Sequence, residues 1–257
     1  MGTNEVSYLS MLSLVVLMIP VIILNRKLNI PINKKIFYSV GRMVIQLALV
    51  GIFLQYIFNI NNSIINFAYL VFMIGVASVT SIRSCGFNTK KFIAPLFFAF
   101  IIPNVIILLF FNTFVIRLDN IFSAQYLIPI AGMLLGNSLK GNIICINNFY
   151  KAIKENEKEY FYTLSLSGSN IEALIPYFRN AVSASVNPIM AAIETIGLVS
   201  LPGMMTGQIL GGAIPLTAIK YQAAIMVAIL ICRYFSAILS IILMSFKAFD
   251  DYDVLIV

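Results

Sequence analysis

Seven long apolar runs divide this chain of 257 residues, and they constrain its fold more than any other feature. A run of about 20 apolar residues can cross the hydrocarbon core of a bilayer as an α-helix. Apolar residues make up 60% of the chain and charged residues 11%, about half the charged fraction of soluble domains. The sequence therefore predicts an all-α, polytopic membrane protein with about seven transmembrane helices. The predicted spans are 6–24, 36–58, 64–82, 92–111, 121–147, 181–201 and 215–246.

The first of these runs, Val6 to Leu24, holds 19 uncharged residues. It is longer than the apolar core of a signal peptide. No basic stretch precedes it, and no small-residue cleavage site follows it. We therefore expect a retained first transmembrane helix.

Basic residues alternate between the loops in a regular way. Loops rich in lysine and arginine alternate with loops that have one basic residue or none, as the positive-inside rule requires. The N-terminus is therefore predicted outside and the C-terminus in the cytoplasm, in a multi-pass protein of the cell membrane. This pattern also accounts for the net charge of +7, so nucleic acid is excluded as a partner. The basic loops are 25–35, 83–91 and 138–180; the loops poor in basic residues are 59–63, 112–120 and 202–214.

The segment after the sixth run is uncharged and rich in glycine and methionine. Gly203, Gly207 and Gly211 fall four residues apart, which on a helix leaves a bare strip that another backbone can approach closely. Pro202 stands where a helix can begin, because its missing N–H costs nothing there. Two interpretations remain open. The segment is either a helix-packing seam or a short re-entrant or broken helix that lines a translocation path.

The loop between the fifth and sixth runs has a different character from the others. Residues 151–159 form a dense run of mixed charge. Lys151 and Glu155 are spaced i,i+4, and Glu155 and Lys158 are spaced i,i+3, so both pairs support a solvated helix.

A turn follows this helix in the sequence. Gly168, Ser169 and Asn170 are predicted to end one helix and cap the next, with Glu172 in the new first turn. The segment 148–178 is therefore predicted to be a cytoplasmic helix, a tight turn and a short helix, followed by Pro176, which separates the short helix from the sixth span. It is either an ordinary solvated connector or a docking element for a partner protein.

Several features of catalytic or metal-binding proteins are missing from the sequence. There is no GxxxxGK[ST] phosphate-binding loop, so any nucleotide hydrolysis must take place on another chain. There is no histidine, which excludes histidine-based metal sites and histidine general bases. Cys85, Cys145 and Cys232 are far apart and imply no disulfide. The sequence predicts one transmembrane domain over 1–257, with no cofactor and no enzymatic activity of its own.

Among the charged residues inside predicted spans, three are singled out as candidates. Glu194 lies in the sixth, Arg42 near the cytoplasmic end of the second, and Arg233 within the seventh. Because such a group costs about 2.5–3.5 kcal/mol at the centre of a membrane helix, these side chains are predicted to face the bundle interior. Glu194 either pairs with an arginine or binds a cation in a transport path. Arg42 either lines that path or extends to the membrane surface.

Any metal site in this chain must use oxygen and sulfur ligands. Oxygen ligands suit hard ions, whereas thioethers suit Cu(I) or serve in packing. The candidate ligands are Gln46, Met133, Asn137, Cys145, Glu194, Met204, Met205, Gln208 and Cys232. The predicted translocation path comprises Arg42, Gln46, Met133, Asn137, Glu194, Met204, Met205 and Gln208.

Four motifs resemble those of one transporter family. Residues 198–212 (LVSLPGMMTGQILGG), with Pro215, Tyr221 and Gln222 downstream, resemble the signature of the FetB/YbbM permeases. These are membrane subunits of ABC transporters associated with iron export, and plant aluminium-tolerance permeases are similar. The other resembling motifs are 42–51 in the second helix, 129–138 in the fifth and 164–173 before the sixth span. In the last of these, Ser167 stands where the family has glycine, and Gly168 follows.

The resemblance covers about residues 36–246 and implies a function. It implies a permease that pairs with a separate ATPase subunit, assembled as two permeases and two ATPases, and that exports a metal-ion substrate across a lipid membrane. The segment before the sixth span would couple the two subunits. Its coupling residues would be Leu166, Gly168, Ser169, Glu172 and Ala173.

Two other classes of protein were weighed against this one. A stand-alone secondary transporter or channel would use Glu194 as an ion or proton site, since broken helices and acids at mid-membrane suit that class too. A membrane enzyme is disfavoured by the absence of histidine and of clustered acids.

Overall fold

A computed structural model describes the backbone of residues 7–256 and the side chains of residues 7, 10 and 13–256. Val6, predicted as the first residue of the first span, lies outside these residues. The described chain is helical, with two isolated β-bridges and no strand. The helices are α1 (Tyr8–Lys27), α2 (Asn33–Ile60), α3 (Ser63–Cys85), α4 (Thr89–Phe110), α5 (Ala124–Glu155), α6 (Glu157–Ser167), α7 (Asn170–Thr195), α8 (Gly203–Leu210) and α9 (Pro215–Ala248). A π-helical turn, Phe111–Ile116, continues α4.

Five of the described helices are long and apolar enough to cross a membrane: α2, α3, α4 with its π-helical turn, α5 and α9. They correspond to the second, third, fourth, fifth and seventh predicted spans, so the chain is an all-helical, multi-pass membrane protein. The first and sixth predicted spans fall on α1 and α7, helices of 20 and 26 residues that are not among these five.

Two helix boundaries near the sixth span differ from the prediction. α7 is one continuous helix from Asn170 to Thr195, so the predicted separate short helix and the predicted span from 181 to 201 are wrong in their bounds. Pro176 lies inside α7 without ending it, because α7 packs against α5 and α9 and this packing holds the helix on both sides of the proline. The predicted helix over 151–159 is interrupted at Asn156, where α5 ends and α6 begins.

The core of the molecule surrounds α5. This helix packs against α3, α7 and α9, and α4 packs against α9. The largest fully buried side chains include Phe92 and Phe100 of α4, Phe149 of α5 and, at one end of the bundle, Tyr160 of α6. Large apolar side chains on the outside of the bundle are exposed, as expected for a surface that faces lipid.

The bundle has two distinct ends. The basic end carries the connections 28–32, 86–88 and 156–169 and the segment 249–256. At the opposite end, asparagines hold the loop between α4 and α5. The Asn66 Nδ2 group donates a hydrogen bond to the Phe122 carbonyl (2.8 Å), and the Asn61 Oδ1 atom accepts one from the Ala124 N–H (2.9 Å).

α1 and α2 lie beside the bundle and contribute little to it. α2 contacts α5 near its C-terminal end, where Ile57 is its one buried residue. The remainder of α2 is largely exposed, although it is one of the five apolar spans. At the turn between the two helices, the Asn25 Nδ2 group donates to the Asn33 Oδ1 atom (2.8 Å).

Candidate coupling and translocation sites

The turn between α6 and α7 has the predicted geometry. Gly168 adopts φ = 62° and ends α6, a left-handed conformation that favours glycine. The Ser169 Oγ atom caps α7 by accepting a hydrogen bond from the Glu172 N–H (3.4 Å). The prediction of a helix end, a cap and a new helix at these residues is therefore confirmed.

The predicted coupling residues divide into exposed and buried groups. Leu166 is 71% exposed, and Gly168 and Glu172 are exposed with it, so they form the surface of the turn. Ala173 is buried in the core, and Ser169 is half-buried at the cap. The turn thus presents a small apolar and acidic surface on a backbone that both helices hold in place.

Beside this turn, Tyr160 of α6 contacts residues that follow α9. Its ring is buried, and its hydroxyl donates a hydrogen bond to the Asp253 carbonyl (2.9 Å). Burial, together with the nearby Asp253 and Asp250 carboxylates, raises the pKa of Tyr160 to about 12. The hydroxyl therefore remains protonated, and able to donate, throughout the physiological pH range.

Five of the predicted path residues lie on α5 and α8. Met133 and Asn137 are one helical turn apart on α5, where the Asn137 Nδ2 group donates to the Met133 carbonyl (2.9 Å). α8 packs against α9, with Met205 buried and Met204 packed against the core. The Oε1 atom of Gln208 is buried without a hydrogen-bond partner.

The other three predicted path residues lie on the exposed surface of the single chain and not beside the path residues of α5 and α8. Arg42 and Gln46 are exposed on α2, and Glu194 is exposed in the last turn of α7. The pair of Lys151 with Glu155 (3.7 Å) is the one ion pair between the side chains that the structure describes, so Glu194 pairs with no arginine there.

The cysteine and glutamate candidates for metal ligands do not form a cluster with other such residues in the described part of the chain. Among the described residues, no group of three or more histidine, cysteine, aspartate or glutamate side chains could hold a metal ion. Cys145 and Cys232 are both buried, and the Ser138 hydroxyl donates to the Cys232 sulfur (3.4 Å).

The glycine strip of α8 has no packing partner in the described part of the chain. A Cβ atom added to Gly203 or Gly207 would meet no atom within 4 Å. At Gly211 the nearest atom would be the Gly207 carbonyl oxygen of the same helix, at 3.2 Å. The described part of the chain therefore supplies no helix that packs against this strip.

A close approach of helices occurs instead at Gly141 of α5. A Cβ atom there would lie 2.6 Å from the Cγ and Nε atoms of Arg233 on α9, so only glycine leaves room for this side chain. The Gly141 carbonyl also accepts a hydrogen bond from the Ser185 hydroxyl of α7 (2.9 Å). Arg233 is only 4% exposed, and its Nε and Nη2 atoms have no hydrogen-bond partner.

A polar layer adjoins this contact. The Asn142 Nδ2 group donates to the Ser236 hydroxyl (2.9 Å), which donates to the Ala99 carbonyl of α4 (3.0 Å). The sequence prediction placed Arg233 in the interior, as found, but missed Gly141, Asn142 and Ser236. The signal that could have found the layer is the spacing of small polar residues four apart on α5 and α9, which favours contacts between membrane helices.

Comparison with known proteins shows that the chain is similar to a family of membrane proteins. Residues 8–249 match the family described as "Uncharacterised protein family (UPF0014)". The "Probable iron export permease protein FetB" of Escherichia coli (strain K12) is 29% identical over 257 residues, which cover 100% of this chain and 98% of that protein. No solved structure matches the chain.

Plant proteins are also similar. "Protein ALUMINUM SENSITIVE 3" of Arabidopsis thaliana is 35% identical over 218 residues, which cover 83% of this chain and 77% of that protein. "UPF0014 membrane protein STAR2" of Oryza sativa subsp. japonica is 29% identical over 209 residues, with coverage of 80% and 71%. Since the family match spans nearly the whole chain, this protein belongs to the UPF0014 family of membrane proteins.

Proposed function

We propose that this chain is the membrane-spanning permease subunit of an ABC transporter that exports iron or a related metal. A separate ATPase subunit binds at the α6–α7 turn and drives transport. The observation that carries the proposal is this turn, an ordered and exposed projection from the basic end, in a chain similar over its full length to a relative named an iron export permease.

The turn suits a docking role for physical reasons. Gly168 and the Ser169 cap fix the angle between two helices, so a partner that binds the turn moves α7 as a rigid body. α7 packs against α5 and α9 at the centre of the bundle. A displacement at the turn therefore reaches the core directly, as a coupling element requires.

We also propose seven spans, with α1 and α7 crossing the membrane in addition to the five apolar helices. The basic end then faces the cytoplasm and the α8 segment lies near the external face. Single cysteines introduced at Asn61 and Glu157, after replacement of the three native cysteines, test this orientation. Only the cysteine at 61 should react with a membrane-impermeant maleimide applied outside; equal labelling of both contradicts the proposal.

Two permeases are proposed to assemble around a shared translocation path. Arg42 and Gln46 on the exposed face of α2 then meet the path residues of α5 and α8 from the other copy. The open faces of Gly203, Gly207 and Gly211 become packing surfaces in the same assembly. Alanine variants of Met204, Met205 and Gln208 distinguish metal ligation from packing. Metal binding and assembly are measured in the same variants.

The experiment that tests coupling compares two equivalent glycines. Gly168 and Gly86 both end helices at the basic end with positive φ, 62° and 76°, and neither has an atom within 4 Å of an added Cβ. Alanine at either position should cost a similar backbone strain, about 1 kcal/mol. Gly168→Ala should lower ATP-driven transport per ATP hydrolysed, whereas Gly86→Ala should not. If the two variants transport the same amount of substrate per ATP hydrolysed, the turn does not couple ATP hydrolysis to transport.

A further inference from the structure

The residues after α9 form a small closed hairpin, residues 249–256. Phe249 and Leu255 form an antiparallel bridge, and the Ile256 N–H donates to the Ala248 carbonyl (2.9 Å). The Asp250 Oδ1 atom accepts hydrogen bonds from the Tyr252 and Val254 N–H groups (3.0 and 2.8 Å). These bonds define the conformation of the hairpin.

The 249–256 hairpin is joined to both helices that flank the coupling turn. The Asp253 carbonyl accepts a hydrogen bond from the Tyr160 hydroxyl of α6 (2.9 Å). The Asp253 carboxylate accepts one from the Asn170 side chain, at the first residue of α7. The ring of Tyr160 also packs against that of Phe249, with 6.1 Å between centroids. One residue of the hairpin, Asp253, therefore contacts both sides of the turn.

A groove of about 680 Å³ lies between this hairpin, α7 and α9. Its floor is apolar, and two of its side chains are unusually exposed: Ile171 at 74% and Phe246 at 79%. Asp250, Asp251 and Asp253 line the same groove. The combination is an apolar surface with a negative rim, adjoining the coupling turn through Ile171.

We infer that this groove is a second contact site for the ATPase subunit, which inserts an apolar side chain flanked by lysine or arginine. The inference rests on the proposed function, because it needs the basic end to face the cytoplasm. Exposed apolar side chains rimmed by polar or charged groups mark protein or membrane interaction sites. The three aspartates favour a partner segment of positive charge. The ATPase footprint thus extends from the α6–α7 turn across the 249–256 hairpin.

The test measures the affinity of the purified ATPase subunit for the full-length permease in detergent, at 50 and 300 mM salt. Asp251→Lys and Phe246→Ala are the test variants, since Asp251 is exposed on the rim and Phe246 on the floor. Asp119→Lys is the matched control, with the same charge change on an exposed residue at the opposite end. Thermal unfolding of each variant shows whether it is folded.

We expect Asp251→Lys to weaken ATPase binding about tenfold at 50 mM salt and less at 300 mM. Phe246→Ala should weaken binding by a similar factor at both salt concentrations, and Asp119→Lys should not change it. Unchanged ATPase affinity in both folded test variants overturns the inference. If the same variants instead bind less phospholipid or no longer dimerise, the groove contacts lipid or a second permease and not the ATPase. Failure of the wild-type permease to bind the ATPase would instead overturn the proposed function.

Discussion

Gly141 and Gly207 are both glycines of apolar helices, but their surroundings are opposite. At Gly141 the space of a missing Cβ is filled by the stem of Arg233, whereas at Gly207 it is empty. The contact of α5 with α9 is therefore made within the described chain, whereas no described residue packs against the α8 strip at Gly207. The comparison teaches that glycine spacing reveals where a close approach is possible, and that only the packed structure reveals whether one chain supplies the partner.

The largest effect on the stability of a single chain is expected at Gly141. Gly141→Leu should lower the free energy of unfolding by about 3 kcal/mol, because Arg233 is buried and cannot move aside without separating the helices. Thermal unfolding in detergent measures the loss. Gly136→Leu is the control on the same helix, where an added Cβ meets no atom within 4 Å. An equal loss of unfolding free energy in the two variants would show that the contact of Gly141 with Arg233 is not what makes this position intolerant of a side chain.

A double-mutant cycle should recover part of this loss. In the background of Arg233→Ala, Gly141→Ala should cost about 1–2 kcal/mol less than it does in the wild type, because the clashing atoms are gone. The same unfolding assay on the four proteins gives the coupling energy. A coupling energy near zero would show that the two side chains do not share this space.

A smaller effect is expected at the 249–256 hairpin. Tyr160→Phe removes one hydrogen bond to Asp253 and should lower stability by about 0.5–1.5 kcal/mol. In the wild type the folded state raises the pKa of Tyr160 to about 12, from an ordinary value of 10.0. The stabilisation that the protonated Tyr160 hydroxyl gives the folded state is therefore complete below pH 10 and is lost as the pH rises from 10 to 12.

Hydrogen exchange of residues 249–256 measures this attachment at different pH values. Protection, corrected for intrinsic exchange, should be unchanged between pH 7 and 9 and lower in Tyr160→Phe at either pH. A marked loss of protection in the wild type between pH 7 and 9 would contradict the assigned titration.

The smallest effect on the unfolding free energy of a single chain is expected at Gly207. This prediction is the strictest test of the comparison between Gly141 and Gly207. Gly207→Leu should change the unfolding free energy by less than about 0.5 kcal/mol, because no described atom lies within 4 Å of a Cβ added at Gly207. Transport should nevertheless be abolished, through misassembly or a blocked path. Light scattering and transport assays measure both. Normal transport, with residues 202–212 freely accessible to solvent, would show that the segment is only a loop.

The features that the sequence predicted well are those set by local interactions. The end of α6 at Gly168 and the cap at Ser169 depend on a few neighbouring residues, and both were predicted correctly. The start of α8 directly after Pro202 was predicted for the same reason. The contact of Gly141 with Arg233 was missed because it depends on how α5 and α9 are rotated about their axes.

Tertiary packing also explains the errors in boundaries. Pro176 was expected to separate two helices, but packing of α7 on α5 and α9 carries the helix through it. For Arg42 and Glu194, the sequence predicted interior positions from the cost of charged groups in lipid, and the single chain leaves both side chains exposed. The sequence of one chain does not specify which side chains another chain, such as the proposed second copy, would bring to them.

Reconstitution of the permease with its ATPase subunit tests the central claim most directly. Iron-free proteoliposomes, with the basic end of the permease and the ATPase facing outward, report transport in the export direction as uptake of radioactive iron that is added to the medium. The account predicts iron movement that requires ATP and the ATPase subunit together and that is reduced in Gly168→Ala. Iron movement at the same rate without the ATPase, driven by an ion gradient and lost in Glu194→Gln, would contradict it.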